Sequence, residues 1–265
     1  MINFQCKEHY TIEDFREIMA LLRGPGGCPW DMEQTHESIR RAVLEEAYET
    51  ATAIDHGDLE NLQEELGDLQ MQVLFHAQIE EERGGFTFDD ICDTACKKLI
   101  RRHPHVFGDV SAETAADVLL TWDAVKREEK KQKTSSGAMA DIADALPALW
   151  RAEKIQSKAR KDGFDWPSWH GAREKLSEEL QELDAAISSG AHIEEELGDV
   201  LAAAVNLARL LNIDPETALN GSSDRFIRRY ARMEELAAER KTTLAALSLE
   251  EKEQLWQQAK KEQNN

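Results

Sequence analysis

Apolar residues recur three and four positions apart along most of this chain, the spacing that places them on one face of an α-helix. The pattern predicts helices over about 12–23, 38–56 and 59–83. We expect the third helix to bury a single stripe of apolar side chains, formed by Leu59, Leu62, Leu66, Leu69 and Val73.

Capping signals mark the ends of these helices. Thr11 precedes the first helix as an N-cap, with Asp14 at the capping-box position. Gly57 ends the second helix and Asp58 caps the third, so the two should be antiparallel neighbours joined by a very short turn. Thr87 is placed to cap a fourth helix that continues to about residue 102.

The second half of the chain repeats this organisation after a polar stretch. Residues 114–133 predict a helix with a highly charged end, and the small polar residues after it indicate a linker. Further helices are expected over 171–188, 193–211 and 215–240, and Ser248 caps a last one. The predicted domains are therefore 1–133 and 146–265, with a linker at 134–145.

Two parts of the sequence align with each other. The acids Glu45, Glu46 and Glu49 correspond in order to Glu178, Glu179 and Glu182, and both copies are followed by the sequence EELGD. The stretch KLIRRH at 98–103 matches RFIRRY at 225–230. We interpret the chain as all-α, a tandem duplication of a four-helix unit that forms two similar bundles.

The repeated acids predict a metal site. Residues three or four apart share a helix face, so Glu46 and Glu49 converge with Glu65 and Asp68 of the antiparallel neighbour. Crowded carboxylates repel one another unless a cation joins them, and oxygen ligands of this kind suit Mg²⁺, with Mn²⁺ as a substitute. A solvated acidic face is the alternative, but the occurrence of the pattern twice favours metal.

Charge limits the partners of this protein. The formal net charge is −20, which disfavours direct nucleic-acid binding, and no apolar run reaches membrane-spanning length. Because the N-terminus carries no signal-peptide pattern, the expected location is the cytoplasm. Magnesium held by carboxylates usually acts together with substrate phosphates, which the arginines near 225–229 can also contact. Trp256 either stacks on a base or closes the core, and both roles stay open.

Several motifs together resemble the MazG family of nucleoside triphosphate pyrophosphohydrolases. They are the acidic pattern itself, GGCPWDMEQTHESI at 26–39, RRHPHVFGD at 101–109 and the C-terminal LWQQAKKE. The resemblance implies a Mg²⁺-dependent homodimer that cleaves NTPs and dNTPs between the α and β phosphates, releasing the monophosphate and pyrophosphate by attack of metal-activated water. It also implies a role in nucleotide-pool cleaning and in lowering ppGpp under stress.

The resemblance also implies roles for individual residues, mainly in the second half. Magnesium ligands there would be Glu179, Glu182, Glu196 and Asp199. Substrate contacts would come from Lys175, Glu178, Glu195, Arg225, Arg229, Trp256 and Lys260, with Glu178 as a candidate general base and Glu179 as its catalytic neighbour. The first half keeps a full acid set, so its activity stays open. From another class, a non-catalytic acidic regulator that binds nucleotide or a partner protein is the alternative function.

Overall fold

A computed structural model describes residues 4–112, 114, 117, 118, 122, 125 and 134–263, and the regular elements in these ranges are all helices. Residue contacts divide the chain into two compact units, Met1–Lys126 and Arg127–Asn265. The first unit contains α1 Ile12–Arg23, α2 Pro29–Glu33, α3 His36–His56, α4 Leu59–Glu82, α5 Phe88–Arg102 and α6 Pro104–Phe107. The second contains α7 Ser135–Ala140, α8 Ala148–Arg160, α9 Trp169–Ser189, α10 Ile193–Leu210, α11 Pro215–Glu239, a 3₁₀ turn at Leu244–Ala246, and α12 Leu249–Gln263.

The predicted all-α class is confirmed, and the predicted helix ends agree closely with the structure. One difference is that α3 begins two residues early, because the Thr35 hydroxyl caps the backbone N–H of Ser38. The helix predicted over 114–133 falls mostly outside the described residues. Helix α7 occupies the start of the predicted linker at 134–145. The domain boundaries themselves stay a prediction.

The core of the first unit joins α1, α3 and the C-terminal half of α4. Its buried residues are Met19, Ile39, Leu74, Phe75 and Ile79. The prediction that α4 buries a single stripe is wrong, since Leu59 is 77%, Leu66 50% and Val73 39% exposed. Within the first unit, α1 packs on α4 and brings Met19 against Leu74 and Phe75, whereas the N-terminal half of α4 has α3 as its main neighbour. The apolar stripe there is therefore left uncovered by this unit.

A buried arginine fixes the segment around α2. The guanidinium of Arg23 donates two hydrogen bonds to the carboxylate of Glu82, both at 2.9 Å, and also donates to the backbone carbonyls of Asp31 and Gln34. Its side chain is only 5% exposed. Arg23 therefore joins the end of α1, the α2 segment and the end of α4 through one charged group.

In the second unit, α11 and α12 share a core while the pair α9 and α10 packs closely together. The buried residues of the first group are Met233, Leu236, Ala237, Leu255 and Ala259. The pair α9 and α10 keeps large apolar side chains at the surface, namely Leu180, Ile187, Ile193, Leu197 and Leu201. Like the apolar stripe of α4, these side chains are exposed and are not covered within their own unit.

Each acid-bearing helix pair is joined by a turn that requires glycine. Gly57 after α3 has φ +66° and Gly190 after α9 has φ +72°, the left-handed region that glycine enters without steric cost. The backbone N–H of Gly57 bonds to Ala53 and Ile54, and that of Gly190 bonds to Ala186. Both turns reverse the chain at once and hold the two helices side by side. Among the described residues, no helix has the length and apolar character needed to cross a bilayer.

Candidate active site

The acids of the first unit converge between α3 and α4, as the helix spacing predicts. One carboxylate oxygen from each of Glu46, Glu49 and Glu65 lies within 4.8 Å of the others. Asp68, the fourth predicted ligand, does not belong to this closest group, although its charge acts on Glu46. The geometry brings oxygen atoms from two helices to one place, as a bound cation requires.

These carboxylates are difficult to ionise together. Partial burial raises the pKa of Glu46, and the charges of Asp68, Glu49 and Glu65 raise it further. The pKa of Glu65 is raised by the same two causes, burial first and then Glu49 and Asp68. Each acid thus disfavours the ionised form of its neighbours, and a cation between them would remove that repulsion.

The second unit forms the corresponding group between α9 and α10. Oxygen atoms of Glu179, Glu196 and Asp199 lie within 4.8 Å of one another, and Glu179 is 7% exposed. Glu182 lies outside this closest triad but shares a hydrogen bond with Glu179, and that bond raises its pKa. All four predicted ligands of this half therefore lie in one neighbourhood.

A lysine distinguishes the second group from the first. Lys175 lies one turn before Glu179 on α9, and its Nζ atom is 2.8 Å from Glu178 Oε1 and 2.7 Å from Glu179 Oε1. The hydrogen bond from Lys175 lowers the pKa of Glu179 against the opposing effect of burial. In the repeat, position 175 corresponds to Ala42, so Glu46 has no lysine one turn before it, and Arg41 pairs with Glu45 at 2.7 Å.

Three other residues that were predicted to contact the substrate lie outside the acidic triad. Glu195 is exposed and its carboxylate pairs with Nδ1 of His192 at 2.6 Å, outside the acidic triad. Arg225 and Lys260 are exposed on α11 and α12. Among the described residues, no hydrogen bond, ion pair or ring contact joins Arg225 or Lys260 to the triad. A substrate role for these side chains stays a prediction.

Trp256 lies at the boundary between core and surface. Its ring packs against the α11–α12 core, lies 5.1 Å from the ring of Phe226 and is covered by the guanidinium of Arg229 at 5.6 Å. Arg229 also donates from Nε to Gln263 at 3.1 Å. Trp256 therefore closes this core, one of the two roles left open for it, while base stacking by Trp256 stays a prediction.

A buried glutamine beside the first acidic group escaped the sequence reasoning. Gln72 is 6% exposed and hydrogen-bonds to Glu46, and no group among the described residues bonds to its Oε1. It lies one turn after Asp68 on α4, so the i, i+4 rule was the available signal. The corresponding residue in the second unit is Ala203, which cannot make this contact.

The residues present fit a hard divalent cation. Both groups offer carboxylate oxygens alone, from two helices that the glycine turns hold together. Burial first, and then the neighbouring carboxylates, raise the pKa values of Glu46 and Glu65, and a cation between them would offset both effects. Neither triad contains the histidine or cysteine that softer transition metals usually recruit.

Comparison with known proteins gives a consistent result. A family model described as the MazG nucleotide pyrophosphohydrolase domain matches residues 34–107 and again 169–233, and each match includes one acidic group. A protein of Escherichia coli K12 named nucleoside triphosphate pyrophosphohydrolase is 44% identical over 95% of this chain and 98% of its own length. A Thermotoga maritima protein named nucleoside triphosphate pyrophosphohydrolase/pyrophosphatase MazG is 44% identical over 94% of this chain and 95% of its own.

Proposed function

The chain belongs to the MazG family and is a nucleoside triphosphate pyrophosphohydrolase, and we propose that its main catalytic site is the acidic group of α9 and α10. The products are the nucleoside monophosphate and pyrophosphate, from ribo- and deoxyribonucleotides alike. The observation that carries the assignment to this half is the pairing of Lys175 with Glu179, which lowers the pKa of the buried carboxylate of the triad. Family membership favours hydrolysis over a non-catalytic regulatory role.

Magnesium would be held by Glu179, Glu182, Glu196 and Asp199, with Mn²⁺ as a substitute. When bound, it would neutralise phosphate charge and lower the pKa of a coordinated water. The chain's own contribution is to bring the carboxylates together on two adjacent helices and to bury one of them, Glu179. Burial of Glu179 fixes the position of one oxygen, and the shared hydrogen bond holds Glu182 beside it.

Glu178 is the proposed general base. It neighbours Glu179 in sequence, its side chain is about half exposed, and its carboxylate is held by Lys175 at 2.8 Å. A carboxylate in this position can accept a proton from an attacking water, and the ammonium of Lys175 would then stabilise the phosphate side of the reaction. Arg225, Arg229 and Lys260 would add positive charge for the triphosphate, Trp256 would contact the base or sugar, and Glu195 would complete the substrate contacts.

A homodimer is part of the proposal. Large apolar side chains on α9 and α10 are exposed, with Leu180 at 48%, Leu197 at 47% and Leu201 at 53%. The stripe of α4 is exposed in the same way. Several exposed apolar side chains on adjoining helices are typical of an association surface, and a second copy of the chain would cover them. We expect the assembled enzyme in the cytoplasm, where nucleotide-pool cleaning would occur and where ppGpp could be lowered.

One assay tests the proposed reaction. Purified protein is incubated with each dNTP and MgCl₂, and the monophosphate and pyrophosphate are quantified, with EDTA and MnCl₂ as parallel conditions. The proposal expects equal amounts of both products, no turnover in EDTA and recovery with Mn²⁺. Release of inorganic phosphate in place of pyrophosphate would contradict the bond assignment, and binding without turnover would favour the regulator.

A further inference from the structure

A buried amide lies against the first acidic group. Gln72 is the only polar residue among the buried side chains of α4, and it forms a hydrogen bond with Glu46 of α3. Its Oε1 atom has no partner among the described residues, and an ionised carboxylate only accepts hydrogen bonds. The bond therefore runs from Nε2 of Gln72 to the carboxylate of Glu46.

Burial gives this contact a fixed geometry. Gln72 is 6% exposed and lies where α4 passes from its exposed acidic half into the core that contains Leu74 and Phe75. A donor enclosed by packed side chains has little freedom to turn away, and water cannot readily replace it. The orientation of the Glu46 carboxylate is therefore set before a cation arrives, as in metal sites whose ligands are held by hydrogen bonds from outside the coordination shell.

No positive side chain takes part in this arrangement. A second amide, that of Asn61, forms a hydrogen bond with Glu65 one turn further along α4. Arg41 pairs with Glu45 at 2.7 Å, and none of the ion pairs among the described residues includes Glu46 or Glu65. The first group is thus oriented by neutral donors, which leave the charge of its ionised carboxylates available to a cation.

The second acidic group is held in a different way. Ala203 stands at the position of Gln72, and Lys175 stands at the position of Ala42. The ammonium of Lys175 lies 2.7 Å from Glu179, so a positive charge is already present in that group. This charge repels an incoming divalent cation, and the phosphates of a nucleotide would offset the repulsion. The two groups should therefore differ in how they bind a cation when no nucleotide is present.

We propose that Gln72 is a positioning residue that orients Glu46 for a divalent cation, and that the first acidic group binds this cation without nucleotide. The second group then fills mainly together with a triphosphate, because Lys175 offsets part of its charge. The proposal gives the first unit a role of its own, as a site for a hard cation that does not depend on turnover in the second unit.

Titration with Mn²⁺ tests the proposal without substrate. Free Mn²⁺ is followed by electron paramagnetic resonance in the full chain carrying Glu196→Gln and Asp199→Asn, which remove two ligands of the second group. This background should bind Mn²⁺, and adding Gln72→Met should raise the dissociation constant about tenfold or more, the usual cost of losing a hydrogen bond to a metal ligand. Gln70→Met, at an exposed glutamine of the same helix, is the matched control and should leave the dissociation constant unchanged.

The opposite background tests the difference between the two units. A full chain with Glu46→Gln and Glu65→Gln should bind little Mn²⁺ alone and should bind it when a non-hydrolysable α,β-methylene dNTP is added. Equal binding of Mn²⁺ by the two backgrounds in the absence of nucleotide would overturn the proposal.

A packing role for Gln72 gives a different result. Gln72→Met would then change the unfolding temperature in EDTA and leave the dissociation constant for Mn²⁺ unaltered, which would overturn the positioning role. Ala42→Lys keeps Gln72 and copies the charge arrangement of the second unit, so it should weaken nucleotide-free binding of Mn²⁺ about tenfold. This variant decides the case if Gln72→Met does not fold, and unchanged binding in Ala42→Lys would contradict the proposal. The proposed reaction is judged separately, by pyrophosphate release from the wild type.

Discussion

The Nζ atom of Lys175 lies 2.7 Å from Oε1 of Glu179, one turn along α9, and this contact has no counterpart in the other copy of the repeat. There, Glu46 aligns with Glu179 and Ala42 aligns with Lys175. The pKa shifts at these equivalent positions are therefore opposite, since the pKa of Glu179 is lowered by the lysine and that of Glu46 is raised by burial and by neighbouring acids. Two nearly identical motifs therefore differ in charge balance because of one side chain.

Substitution of Lys175 should change the pH dependence of turnover. Lys175→Met removes the hydrogen bond that lowers the pKa of Glu179, so this carboxylate becomes protonated at higher pH. The acidic limb of the kcat/KM profile should move to higher pH, measured with saturating Mg²⁺. Lys154→Met, at an exposed lysine of α8, is the control. An unmoved acidic limb would show that Glu179 does not control the reaction.

The two halves should respond unequally to loss of one carboxylate. Glu179→Gln removes a buried metal ligand of the proposed main site and should lower kcat by about a hundredfold or more, because charge neutralisation at the phosphates is lost. Glu46→Gln should leave most of the turnover. Glu194→Gln, at an exposed acid in the first turn of α10, controls for a general change of charge. A large loss in Glu46→Gln alone would place catalysis in the first unit.

Metal should stabilise the first unit most strongly near neutral pH. The folded-state pKa values of Glu46 and Glu65 are raised above 4.5, so folding favours their protonated forms at low pH. As pH rises above the unfolded value and through the folded value, ionisation of both groups reduces stability. In EDTA, the contribution of Glu46 and Glu65 to the free energy of unfolding should therefore be smaller at pH 7 than at pH 5.

A double variant isolates the contribution of Glu46 and Glu65 to the unfolding temperature from that of the other titratable groups. Glu46→Gln with Glu65→Gln should raise the unfolding temperature at pH 7 in EDTA and reduce the gain produced by MgCl₂. Glu60→Gln with Glu81→Gln, at two exposed acids of α4 outside the acidic group, provides the control. A double variant that keeps the full magnesium-dependent gain would argue against a cation between Glu46 and Glu65.

The exposed face of α9 and α10 should control assembly. Leu197→Asp with Leu201→Asp places two charges where the proposed partner would pack, and should weaken association by about a hundredfold or more. Light scattering coupled to size exclusion would report a shift from dimer to monomer. Leu249→Asp changes a leucine that is 83% exposed at the start of α12 and should leave the mass unchanged. A monomeric wild type would contradict the homodimer.

Local signals explain why so much of the fold was predictable. Helix ends were set by nearby residues, such as Thr11 with Asp14 and the left-handed Gly57, which the sequence shows directly. The meeting of Glu46, Glu49 and Glu65 followed from helix spacing and one short turn. Periodicity identified the apolar face that contains Leu66 but could not show what covers it, because burial depends on elements distant in sequence, or on another chain.

The glutamine beside the first acidic group was missed for the same reason. Gln72 follows Asp68 by one turn, but glutamines at such positions are common on exposed helix faces. The missing information was its burial beside Glu46, which no local pattern contains.

The contacts of Arg23 have a consequence for how the first unit opens. One guanidinium binds Glu82 together with the carbonyls of Asp31 and Gln34, so its departure breaks all of these hydrogen bonds at once. The cost of releasing any one contact therefore includes the cost of the others. The CPWD segment should detach in a single step, and hydrogen exchange of its amides should follow one common rate in place of gradual fraying.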